Sequence, residues 1–211
     1  MSKECEILHN IFSSMARHKF PFDSSLIPQN GIYVLFQESE IGHGAERIVR
    51  VGTHTGNNQL RSRLKQHFLN ENKDRSIFRK NIGRAILRKI KDPFLEQWEI
   101  DLTARKFNDK YSRKIDFDRQ KEIESKVSQY IQKNFSFSVF QIEDKTRRLE
   151  IESKLISTVS LCNNCKPSSE WLGNYSPKVK IRESGLWLVN ELYKTPFTLQ
   201  ELKQIEKQIK G

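Results

Sequence analysis

The stretch VGTHTGNNQLRSRLKQHF, residues 51–68, decides how the rest of the chain is read. Val51 and Gly52 close a β-branched run, a polar glycine-containing loop follows, and then Leu60, Leu64 and Phe68 recur every four residues. That spacing predicts a helix burying one stripe, with Asn57 or Asn58 as its cap. Arg63 and His67, also four apart, share a neighbouring face of that helix, and Arg61 and Lys65 add further charge.

Working outward, RIVRVG (47–52) and GIYVLF (31–36) each read as a strand. The ten residues between them, QESEIGHGAE, are a loop short enough to make the pair an antiparallel hairpin. FSFSVFQI (135–142) alternates like a third strand. FRKNIGRAILRKI (78–90) places Phe78, Ile82, Ile86 and Ile90 at helical spacing with basic residues around the rest of the barrel, a second basic amphipathic helix. In FDRQKEIESKVSQYIQKNF (117–135), Ile123, Val127, Tyr130 and Ile131 turn inward, with Asp116 or Asp118 near the start. RRLEIESKLISTVSL (147–161) is a helix with Ile151, Leu155 and Val159 toward the core. TLQELKQIEKQI (198–209) opens with a capping box, Thr198 to Glu201, and carries Leu202, Ile205 and Ile209 on one side.

The expected class is α/β: a small, mainly antiparallel three-stranded sheet flanked by helices. No low-complexity or Gly/Ser-rich linker divides the 211 residues. One domain is therefore expected, with a basic helical insertion at about 70–134 and a C-terminal helical extension at about 183–211.

No apolar run approaches the roughly 20 residues of a membrane helix, and MSKECEILHN lacks the build of a signal peptide. The expectation is a cytoplasmic protein without a membrane partner. Three cysteines, an odd number, fit a reducing compartment. CNNC (162–165) has the spacing of half a zinc site, but Cys5 is the only other thiol, so these are read as ordinary thiols. The net charge of +11 points to a polyanion, and residues 61–91 hold eleven Lys/Arg against Glu71 and Asp74. A run so unbalanced is expected to meet nucleic acid, through Arg61, Lys65, Arg79, Lys80, Arg84, Arg88 and the loop residue His54. Asp101, Asp116, Asp118 and Glu124 lack a motif spacing and read as a solvated face.

In this order, strand GIY, strand VRVG, helix LRSRLKQHF, a later helix with ESKLI and a loop LGNYSP, the chain resembles the GIY-YIG nuclease superfamily. The likeness spans residues 31–174, interrupted by an insertion that the smallest members lack. Tyr33 matches the tyrosine of GIY, and Val51 and Gly52 the last two positions of YIG. Arg63 matches the helix arginine, and His67 falls where members often carry a histidine or tyrosine. Glu152 matches the metal-binding glutamate, and Asn174 the asparagine that follows it. The chain departs from the pattern at Arg50, which stands where the second tyrosine belongs, and at GTH in place of GK.

The resemblance implies phosphodiester hydrolysis with Tyr33, Arg50, Arg63, His67, Glu152 and Asn174 as the catalytic set. Tyr33 is then the general base, which asks nearby cations to favour its phenolate. Arg50 is expected to lie beside it across the hairpin as a substitute for the missing tyrosine. His67 orients Tyr33 or relays its proton, and Arg63 stabilises charge on the phosphate oxygens. Glu152 holds one Mg²⁺, for which Mn²⁺ can substitute. The expected activity is a restriction- or defence-like DNA endonuclease, with two copies cooperating on a duplex. Two alternatives stay open: a nucleic-acid-binding protein of the same fold that has lost catalysis, and a structure-specific repair or RNA nuclease.

Overall fold

The computed structural model describes residues 2–210, the side chains of Ser2, Phe107, Asn108 and Lys210 excepted. Strand β1 (His18–Lys19) and the long strands β2 (Gly31–Gly42), β3 (Ala45–Gly52) and β4 (Phe135–Gln141) form an antiparallel sheet in the order β1-β4-β2-β3. The three strands expected from sequence are its body; β1 is a two-residue addition at the β4 edge, too short to leave a periodic signal. The β2–β3 connection is tighter than expected. Both strands continue through most of 37–46, leaving His43 and Gly44 to turn with φ of 52° and 77°. Positive φ at both turn positions matches the right-handed twist of the strands, and glycine adopts it without penalty.

Two apolar layers sandwich the sheet, as strict alternation along β2 requires. Ile32, Val34 and Phe36 point to one face, where α1 (Ser2–Ser13), α7 (Lys145–Ser160) and α9 (Leu199–Lys210) supply Leu8, Phe12, Ile151, Leu155, Leu202 and Ile205. Tyr33 and Leu35 point to the other, toward α2 (Leu60–Phe68), α3 (Ile77–Lys89) and α6 (Phe117–Asn134). Leu60, Leu64 and Phe68 are fully buried, each contributing roughly 1.5–3 kcal/mol. Short helices α4 (Leu95–Glu99) and α5 (Arg105–Tyr111) link α3 to α6, and α8 (Val179–Ser184) precedes the irregular segment that leads to α9. No helix is long and apolar enough to cross a membrane among the described residues.

Local signals held where a polar side chain could close a helix end. Asp116 caps α6 by accepting from Arg119 N, and Thr198 and Glu201 form the reciprocal capping box. They failed at α2, whose cap is Gln59 without a side-chain bond. Asn58 is instead left-handed (φ 57°) and pairs with Asn30, which accepts from Asn58 N at 2.7 Å and donates to Asn58 Oδ1 at 2.9 Å. Those bonds tie the loop to the start of β2. In α3, Phe78 and Ile82 are buried as expected, but Ile90 is 55% exposed at the helix end.

Candidate active site

The site is built on the hairpin. Gly52 lies opposite Tyr33 in the β2–β3 register, and a Cβ there would fall 2.2 Å from the Tyr33 hydroxyl. Glycine is therefore what lets the phenol ring lie across β3. Gly31 has the same character, because a Cβ would meet the Phe140 carbonyl oxygen at 2.3 Å. The register then slips: Leu35 pairs with Arg50 but Phe36 with Ile48, so Val49 and Arg50 occupy the space of one residue. Arg50, two residues from Gly52 and opposite Leu35, shares the face of Tyr33 by ordinary alternation, and the β-bulge beyond it brings Val49 onto that face as well.

Arg50 is buried there. Its Nε donates to the Tyr33 hydroxyl at 3.3 Å and its Nη1 to the carbonyl of Trp187. The Tyr33 hydroxyl also meets His67 Nε2 at 2.8 Å, and His67 Nδ1 meets Ser76 Oγ at 2.7 Å. Ser76 caps α3 by accepting from Arg79 N. Burial first, and then the guanidiniums of Arg50, Arg63 and Arg79, push the His67 imidazole well below its ordinary range. The ring is neutral near pH 7, with one nitrogen able to accept a proton.

Glu152 reaches the hairpin from the middle of α7, where its Oε1 accepts from Thr53 N at 3.0 Å. Burial holds its carboxyl above the usual carboxylate range, against the pull of Arg50 and the Thr53 amide; Glu191 pushes the same way as burial. Arg50, Arg63, Glu152, Asn81, Asn190 and Glu191 line a cleft of about 480 Å³. Arg63 also borders a second cleft of about 500 Å³, together with Thr53, His54, Gln66 and Arg75. Tyr33 is 1% exposed and lines neither, so it communicates with the cleft through Arg50. The arrangement offers two guanidiniums, a carboxylate that burial leaves in want of a cation, and a phenol–imidazole pair.

Tyr33, Arg50, Arg63, His67 and Glu152 are thus brought together from β2, β3, α2 and α7, while Asn174 is not. Its Nδ2 donates to the carbonyls of Ser168 at 2.9 Å and Ser169 at 3.0 Å, so it pins its own loop and borders neither cleft. Asn81, Asn190 and Glu191 are the cleft residues that motif matching missed. Asn190 and Glu191 follow the apolar run 186–189, which lies against β3 where Trp187 N donates to Val49 O at 2.7 Å. An apolar run of that length with no partner strand in sequence was the only signal for them.

The expected nucleic-acid surface needs the larger correction. Arg79 is fully buried and gives Nε and Nη2 to Glu124 at 3.0 and 2.7 Å, so Glu124 is a core counter-ion and not a solvated acid. Lys80 pairs with Asp74 at 3.1 Å, and Arg84 pairs with Glu99; both basic residues are 6% exposed. Carboxylates outside the run thus neutralise Arg79 and Arg84, and Asp74 within it takes Lys73 and Lys80. Arg88 is exposed but donates to Ser176 O at 3.0 Å. Arg61 holds the carbonyls of Ile27 and Ser25, away from the catalytic cleft. His54 is a loop clamp, with Nδ1 on Gly56 O at 2.6 Å and Nε2 accepting from Gly31 N at 3.3 Å. Lys65 is exposed, as expected of a contact residue, and so is Arg75 beside the second cleft.

A family model described as GIY-YIG domain matches residues 11–211, nearly the whole chain. The chain belongs to the GIY-YIG family, whose members are nucleases acting on nucleic acids. Neither a comparison with curated proteins nor one with solved structures finds a match.

Proposed function

We propose that the chain is a metal-dependent endonuclease that hydrolyses phosphodiester bonds in DNA, in a restriction- or defence-like role in the cytoplasm. What supports this most is the line of hydrogen bonds Ser76–His67–Tyr33–Arg50, at 2.7, 2.8 and 3.3 Å, that ends at a cleft bearing Arg63 and Glu152. Tyr33, as the phenolate that the Arg50 guanidinium favours once its proton has gone to solvent, takes the proton of the attacking water, while neutral His67 orients its oxygen. The water reaches Tyr33 when the Arg50 guanidinium, which now covers the hydroxyl, turns onto the scissile phosphate. Arg50 and Arg63 then hold the non-bridging oxygens as negative charge grows on them.

The residues fit a hard divalent ion. Glu152 is a largely desolvated carboxylate with one backbone donor, and it is not part of a group of three close His, Cys, Asp or Glu donors among the described residues. A single carboxylate suits Mg²⁺, or Mn²⁺ in its place, because such an ion keeps most of its waters. Glu152 would hold such an ion, and the ion would supply charge neutralisation for the leaving 3′-oxygen. A single Glu152-bearing cleft among the described residues supports two copies acting together to cut both strands of a duplex.

The test is incubation of the purified chain with labelled DNA and RNA, with and without Mg²⁺, in wild type and Glu152→Gln. Cleavage of DNA that needs Mg²⁺ and vanishes in Glu152→Gln, with binding retained, is expected. Cleavage that persists in the variant at ordinary Mg²⁺ removes Glu152 from the site, and cleavage of RNA alone changes the substrate.

A further inference from the structure

On the sheet face opposite Tyr33, four soft donors meet from three separate segments. Cys5 and His9 are one turn apart on α1, His43 is at the β2–β3 turn, and Cys165 ends the CNNC stretch after α7. Their ligand atoms all lie within 4.8 Å of one another, with Cys5, His9 and Cys165 buried and His43 half-buried. We propose that Cys5, His9, His43 and Cys165 form a structural zinc site that fastens α1, the hairpin turn and the loop after α7 together.

One pair already stands at the separation of zinc ligands, and the rest lie close enough to close on an ion. Zn–S of about 2.3 Å and Zn–N of about 2.0–2.1 Å put neighbouring sulfur and nitrogen ligands about 3.5 Å apart. Cys165 Sγ lies 3.4 Å from His9 Nε2, while Cys5 Sγ lies nearer the other ring nitrogen, 3.6 Å from Nδ1. The His9 tautomer is fixed by its partners. The Cys5 carbonyl, 2.9 Å from Nδ1, can only accept, and Ile48 N–H, 3.2 Å from Nε2, can only donate. Nε2 therefore carries the lone pair on the Cys165 side, while Nδ1–H binds a backbone carbonyl, as metal-bound histidines commonly do. Zinc would take that lone pair in place of the long Ile48 contact.

The backbone makes room for the cluster. A Cβ at Gly42 would lie 2.6 Å from Cys165 Sγ and 3.3 Å from His9 Nε2, so the donors pack directly on the strand. His43 holds a left-handed φ of 52°, unfavourable for most side chains, at the turn that brings its ring 5.1 Å from that of His9. Cys162 Sγ stands 3.3 Å from His43 Nε2 as a fifth donor beside the four. Counting thiols alone hid this set, because half of it is imidazole. Thiolate and imidazole are the donors zinc prefers, whereas Mg²⁺ takes oxygen, so this site and the cleft select different ions.

Metal analysis of the purified full chain is expected to find one zinc per chain that survives dialysis. Cobalt in its place should give the visible bands of a tetrahedral ion and a thiolate charge-transfer band of two-sulfur intensity. Chelation should lower the Tm, and added zinc should restore it. Cys5→Ser with Cys165→Ser should lose both the zinc and the response of Tm to zinc; Cys162→Ser should keep them. A wild-type chain that holds no stoichiometric zinc after incubation with it, and melts identically with chelator, overturns the site. So does a Cys5–Cys165 disulfide in the freshly purified protein. Loss of zinc in Cys162→Ser alone overturns the ligand set.

Discussion

Replacing Arg50 by alanine tests the catalytic reading at its most unusual residue. In the structure its guanidinium is shared between the Tyr33 hydroxyl at 3.3 Å and the Trp187 carbonyl, at the edge of the cleft that Glu152 and Arg63 line. Loss of a preorganised charge stabiliser of this kind costs about 10²–10³ in rate, roughly 2.7–4 kcal/mol. The side chain also holds the fold. Arg50→Ala leaves the Trp187 carbonyl without this donor, at roughly 1–3 kcal/mol, which for a chain of this size lowers Tm by about 2–4 °C per kcal/mol. The assay is therefore single-turnover cleavage of a labelled duplex well below the melting range of the variant, with substrate saturation checked separately. Arg50→Lys should recover little, because a point charge cannot serve the phenol, the carbonyl and a phosphate as a planar fork does. Added guanidinium should restore part of the rate to Arg50→Ala. Arg50→Tyr, which returns the residue of the family motif, should keep part of it. Wild-type cleavage by folded Arg50→Ala would refute the reasoning and leave Arg50 a packing residue.

Arg79→Ala should destabilise the chain by about 3–5 kcal/mol in chemical denaturation, because it strands the buried Glu124 carboxylate; a loss of DNA affinity without a loss of stability would contradict the buried geometry. Lys65→Gln with Arg75→Gln, both exposed and Arg75 beside the second cleft, should reduce the slope of log affinity against log salt by roughly one for each phosphate no longer neutralised, about two in all. An unchanged slope places the nucleic acid elsewhere. The neutral His67 gives a pH dependence whose sign follows from its lowered value. Below the unfolded value of about 6.5 the unfolded chain binds a proton that the native chain refuses, so this contribution to stability is lost as pH falls, by up to about 1.4 kcal/mol per unit. His67→Gln should show a correspondingly shallower fall, and an equally steep one would assign the dependence to other groups.

Sequence made the catalytic elements legible where function and local structure use the same residues. Gly31 and Gly52 are needed by backbone approach as well as by motif, and Leu60, Leu64 and Phe68 mark the helix that also carries Arg63 and His67. What stayed hidden depends on partners remote in the chain. The basic run read as free because Glu99 and Glu124 lie 15 and 45 residues beyond their arginines, and a charge count over a window cannot pair them. Asn174 followed a plausible motif, yet the carbonyls that hold it belong to its own loop, a distinction that spacing does not encode. His9 and His43 each looked like a lone histidine until the sheet brought them beside the cysteines.

The substitution at Arg50 follows the same rule, because three features must coincide for it. Alternation from Gly52, opposite Tyr33, sets residue 50 on the Tyr33 face, and the extra residue Val49 then sends Ile48 to the opposite face, toward α1 and α7. A guanidinium buried there also needs acceptors. The Trp187 carbonyl supplies one from a segment 137 residues away, and that segment is held on β3 by the bond from Trp187 N to Val49 O. The residue that forms the bulge and the irregular segment that binds the arginine thus hold each other. The same segment then carries Asn190 and Glu191 into the cleft, facing Glu152. The region after α8 therefore belongs to the candidate site, and an arginine at the motif position is accommodated because the far end of the chain returns to bind it.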